Sequence, residues 1–151
     1  MKFREEAVFD ADPQRVWAVL SDWERQASWM PDVAWIRVVG PERELGANLE
    51  VRTKVFGIPF ATDSVRVTAW EPPWRLAVDH VGVVVGVGEW RMESTEGGTR
   101  FAWYERFRMP PPVLGDLGLW LYSPFQRRML RRSMHNLKRL VESDRDPTAA
   151  G

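Results

Sequence analysis

Two periods of apolar residues divide the chain. From Val33 onward, apolar and polar positions alternate in short runs. From Phe125 to Val141 the apolar positions recur at steps of three and four. Alternation puts one face of a strand on a core, whereas the longer step draws a stripe along a helix. The stripe holds Phe125, Met129, Leu130, Met134, Leu137, Leu140 and Val141. Ser123 is placed to cap this helix, because a serine oxygen can accept from a first-turn amide, and Pro124 suits the first helical position. Between Pro110-Pro111-Pro112 and that cap, Val113 to Tyr122 reads as a separate helical turn or two.

The alternating part resolves into strands separated by turn signals. Phe3 to Phe9 alternates loosely and stops at Asp10-Ala11-Asp12-Pro13, where Asp12 is a good N-cap and Pro13 a good first residue for a short helix to Leu20. A second short helix covers Glu24 to Ser28 before Pro31. Strands follow at Trp35–Val39, Asn48–Val55, Ala61–Trp70, Trp74–Val81, Glu89–Ser94 and Thr99–Met109, with Gly97-Gly98 as the last tight turn. The order predicts an α+β fold: a curved antiparallel sheet of about seven strands around one long C-terminal helix, with two short helices after the first strand. A bent sheet and a straight rod cannot touch along their whole length, so space is expected between them.

Composition narrows the function. A chain of 151 residues, 44% hydrophobic, suits one domain, assigned to 1–143 with a flexible tail over 144–151. Lys and Arg number 21, as do Asp and Glu, so no global charge points to nucleic acid. The chain has no cysteine, a charged start (Met1-Lys2-Phe3-Arg4-Glu5-Glu6) and no long apolar run, which together fit a cytoplasmic protein. Two histidines and no clustered carboxylates imply no metal, and no cofactor motif is present. Nine tryptophans are more than a core of this size ordinarily uses. Of these, Trp17, Trp23 and Trp29 are expected to fix the two short helices against the sheet edge.

The run from Ala11 to Asp22, with Ala11-Asp12-Pro13 leading into Val16-Trp17 and Leu20-Ser21-Asp22, is followed by Trp29-Met30-Pro31-Asp32-Val33. It resembles the opening of the START-like, or SRPBCC, helix-grip superfamily, in particular its polyketide cyclase/dehydrase branch. Gly97-Gly98-Thr99-Arg100 and Leu137-Lys138-Arg139-Leu140-Val141-Glu142 resemble later parts of that pattern. The resemblance implies a helix-grip fold with a ligand cavity between the sheet and the terminal helix. It does not choose among lipid carriers, receptors, quinone binders and cyclases, which share this fold.

If the cavity lies there, alternation turns Val51, Thr53, Val65, Val78, Trp90, Met92, Phe101, Trp103 and Phe107 inward, joined by Tyr122, Phe125 and Met129 from the C-terminal helical region. Asp63, His80 and Glu105 fall on the same face, where an unpaired charge is costly. These three are candidates to hold a ligand's polar end. They are also candidate catalytic groups: a histidine poised by a carboxylate can take a proton next to a carbonyl. A merely structural His–carboxylate pair fits the same pattern.

Gly82, Gly86 and Gly88 match neither a dinucleotide nor a phosphate loop and read as a flexible hairpin over the pocket mouth. The basic run Arg127, Arg128, Arg131, Arg132, Lys138 and Arg139 reads as a solvated helix face, with docking on an anionic membrane surface or a partner, anchored by Trp120, as the alternative. The expectation is a monomer or homodimer that binds a hydrophobic small molecule of polyketide, quinone, isoprenoid or acyl type. A cyclase or dehydratase built on His80 with Asp63 or Glu105, and a partner-binding regulatory module, remain as alternatives.

Overall fold

The computed structural model describes residues 1–109 and 112–143. Seven strands, β1 (Lys2–Phe9), β2 (Val33–Val39), β3 (Asn48–Val55), β4 (Ile58–Glu71), β5 (Arg75–Val81), β6 (Val85–Thr95) and β7 (Gly98–Arg108), form one antiparallel sheet in the order β1-β7-β6-β5-β4-β3-β2. Helix α1 (Pro13–Leu20) and a 3-10 helix (Trp23–Ser28) carry the chain from one edge strand to the other, and α2 (Pro112–Ser143) closes the concave face. This is the predicted α+β helix-grip arrangement. Register shifts at Val33/Trp35, Arg52/Lys54 and Val67/Ala69 bend the β2–β5 half, since an extra residue on one strand increases local twist. The tail over 144–151 and the prolines at 110 and 111 lie outside the described residues.

Local chemistry accounts for the short helices. The Arg15 amide donates to Asp12 Oδ1 at 2.8 Å, with Pro13 in the first turn and Val16, Trp17 and Leu20 buried. Gln26 is buried and donates from Nε2 to the Leu20 carbonyl at 2.7 Å, which ties the 3-10 helix to the end of α1. Trp17 and Trp23 pack on Trp70 at 5.0 and 6.0 Å between ring centroids, as expected of anchors. Trp29 instead reaches the middle of the sheet, 5.9 Å from Trp90 and 6.0 Å from Trp103.

Two expectations need correction. The C-terminal helical region is one helix, α2, with Pro124 inside it and not at its start. A proline has no N–H for the carbonyl four residues back, here that of Trp120. The Ser123 hydroxyl donates to that carbonyl at 2.9 Å, so it repairs the helix interior where a cap was expected. Secondly, Gly86 and Gly88 belong to β6, paired with Phe107 and Glu105, and the turn is confined to residues 82–84. They are glycines because of crowding: a Cβ on Gly86 would lie 1.9 Å from the Arg106 carbonyl oxygen. The expected flexible lid is therefore mostly strand.

Candidate ligand cavity

A cavity of about 400 Å³ lies between the concave face and α2. Val51 and Thr53 from β3, Asp63 and Val65 from β4, Val78 and His80 from β5, Trp90 from β6, and Trp103, Glu105 and Phe107 from β7 all reach it, as does Tyr122 from α2. Strand alternation puts them there, since those on the same strand are separated by an even number of residues.

Four residues expected in the wall do not line it. Met92 and Phe101 are buried two positions beyond the Trp90–Trp103 pair, whose rings meet edge-on at 5.5 Å and shut the deep end; Phe101 stacks on Phe9 instead. Met129 is buried on the flank of α2, off the line of Leu119, Gln126 and Leu130 that faces the cavity. Phe125 packs on Phe56 at 4.4 Å and on Tyr122 at 5.1 Å, outside the wall.

Polar groups gather on the side of the cavity toward the β3–β4 and β5–β6 turns. His80 Nε2 and Glu105 Oε2 stand 3.4 Å apart, an ion-pair separation. Among the described residues neither atom has a hydrogen-bond partner, although both are buried. Trp103 Nε1 donates to Glu105 Oε1 at 2.7 Å and so fixes that carboxylate. Burial pushes the His80 imidazole toward its neutral form. Glu105, with smaller help from Asp63 and Asp79, outweighs it, so the pKa is raised above the ordinary 6.5. Asp63 Oδ1 accepts from the Val83 amide at 2.8 Å, which ties it to the β5–β6 turn.

The glycines set apart in the sequence make room for these carboxylates. A Cβ on Gly82 would lie 2.0 Å from Asp63 Oδ1, and one on Gly88 would lie 2.9 Å from Glu105 Oε2. Asp32 was not anticipated in the wall. Asp32 lines the cavity from just before β2, and burial raises its carboxyl pKa, with the charge of Glu105 adding to the effect. Tyr122 is pushed up to about 12 by burial and by the charge of Asp32. Asp32 sits between elements, where no period applies. Its one sequence signal is an acid among Trp29, Met30, Pro31 and Val33.

Among the described residues no group of three or more His, Asp or Glu is placed to hold a metal ion, and no helix is long and apolar enough to cross a membrane. No curated protein matches the sequence closely enough to count as a relative. Solved structures show the same fold. A Thermus thermophilus protein, TTHA0849, superposes with a TM-score of 0.76 at 18% identity, over 93% of this chain and 97% of that one. The ZhuI aromatase/cyclase from Streptomyces sp. R1128 gives 0.81 at 16% identity, over 100% and 98%. Ara h 8.0201 gives 0.69 at 14% identity, over 93% and 97%. Residues 1–142 match the family described as "Polyketide cyclase / dehydrase and lipid transport". With nearly the whole chain matched and the helix-grip cavity in place, the protein belongs to the polyketide cyclase/dehydrase and lipid transport family.

Proposed function

We propose that the protein binds an oxygen-bearing hydrophobic small molecule, of polyketide, quinone, isoprenoid or acyl type, with its apolar body against Trp90, Leu76 and Val65 and a carbonyl or hydroxyl at His80 and Glu105. Family membership supports a polyketide-related binding or cyclisation role. The observation that carries the reading is the unsatisfied pair His80 Nε2 and Glu105 Oε2 inside a mostly apolar cavity. Buried polar atoms without hydrogen bonds are costly, and a ligand hydroxyl beside them, accepting from the imidazole and donating to the carboxylate, would supply the missing bonds. A volume of about 400 Å³ is in the usual range for small-molecule sites. The test is a fluorescence titration with the apolar probe N-phenyl-1-naphthylamine. Saturable binding is expected, weakened by about tenfold or more in Val78→Trp, which fills the cavity. No saturation, or equal affinity in the variant, would overturn the reading.

A cyclase is the second reading, favoured by the 3.4 Å approach of His80 to Glu105. Neutral His80 would take a proton α to a ketone, and the resulting enolate carbon would bond to a second carbonyl carbon. The imidazolium would return the proton to the alkoxide, and loss of water would follow. Both ZhuI and the di-domain protein StfQ, a structural neighbour at 14% identity, carry aromatase/cyclase names. Consumption of a poly-β-keto thioester by the wild type, abolished in a His80→Gln variant that still binds the probe, is the outcome this reading requires.

A further inference from the structure

The outward face of α2 has a pattern that cavity lining does not explain. Leu114, Leu117, Trp120, Leu121, Pro124, Arg127, Arg128, Arg131, Arg132 and His135 are all exposed. At about 100° per residue they fall within one arc of roughly 140°. The first four are apolar and remain 72%, 53%, 66% and 66% exposed; the last five are four arginines and a histidine. Asp116 is the single acid between Val113 and Val141. Among the described residues, Arg131 pairs with Glu5 at 3.1 Å and Arg127 lies over the Phe3 ring, while Arg128 and Arg132 meet no acid.

The apolar end of this face continues onto the sheet. At the β3–β4 turn Phe56, Ile58 and Phe60 are 72%, 69% and 58% exposed, and the Phe56 ring touches Phe125 of α2 at 4.4 Å. Phe60, Leu119 and Tyr122 line the cavity, so the apolar patch borders its mouth. Exposed aromatic and aliphatic side chains on two separate elements, followed by a cationic band on the same helix face, match the layering of a lipid interface: acyl chains, then anionic headgroups.

We infer that this face docks on an anionic lipid bilayer, with Leu117, Trp120, Leu121 and the Phe56 turn entering the headgroup–acyl boundary and Arg128 and Arg132 on lipid phosphates. The cavity mouth then opens toward the acyl layer. With 21 basic and 21 acidic residues in all, the attraction comes from this face and not from net charge. The inference stands on the surface alone and holds whether or not the ligand reading does.

Flotation of the full chain with vesicles tests it. Recovery is expected with equimolar phosphatidylcholine and phosphatidylglycerol at low salt, with little on pure phosphatidylcholine and release at high salt. The pair Arg128→Glu and Arg132→Glu should reduce partition by about tenfold or more, because two attractive charges become repulsive. Both sites are exposed, so unchanged circular dichroism is expected. Brominated lipid should quench tryptophan emission in the wild type and do so less in Trp120→Phe. Failure to float with either vesicle, equal recovery on both, or quenching unchanged in Trp120→Phe would overturn the inference.

Discussion

His80 is governed by opposing influences: burial disfavours its charge, and Glu105, held by the Trp103 indole, restores it. Its raised pKa means that the proton stabilises the fold fully below the ordinary value of 6.5, and that this contribution fades as pH rises through the raised value. Glu105→Gln removes the main restoring charge and leaves burial, the largest single influence, opposed by Asp63 and Asp79. An NMR titration, simple with only His80 and His135 to assign, should show the His80 pKa above 6.5 in the wild type and lower in the variant. A value unchanged in the variant would show that Glu105 does not set it. Asp63, His80 and Glu105 were legible at the cavity wall from alternation alone. Their separate surroundings were not, because pairing distance depends on neighbouring strands. Asp63 is tied to a turn amide, and only His80 and Glu105 approach one another.

Among the elements, α2 shows how local rules compete. Ser-Pro reads as a start signal, yet burial of Leu119, Met129, Leu130, Met134, Leu137 and Val141 along one side favours continuation through the proline. The Ser123 hydroxyl then takes over the Trp120 carbonyl. Ser123→Ala should cost about 1 kcal/mol, the usual net worth of such a bond. In a Pro124→Ala background, where a backbone amide is restored, the same change should be nearly neutral. Chemical denaturation of the four proteins in this cycle measures the difference, and equal costs in both backgrounds would refute the repair. In β6 the competition ran the other way. Gly86 and Gly88 carry turn propensity, but the sheet needs them where backbone and carboxylate come too close for a Cβ.

At the scale of the molecule, α2 has one face held and the other free. Leu137 is fully buried against the sheet, whereas Leu121 near the mouth is 66% exposed. Leu137→Ala should therefore cost about 2–5 kcal/mol by leaving a cavity, and Leu121→Ala should stay within about 0.5 kcal/mol. Thermal unfolding separates them, and similar losses would mean that α2 is not anchored as described. Strand alternation and the helical stripe were enough to establish the element order, the sheet-and-helix class and most of the inward faces, because both periods are properties of consecutive residues. The tertiary structure alone decided that the Trp90–Trp103 pair ends the cavity short of Met92 and Phe101. It also decided that Asp32 joins the wall from an aperiodic segment and that Pro124 lies within a helix. Each of these turns on contacts between residues far apart in the chain, whose distances no local pattern encodes.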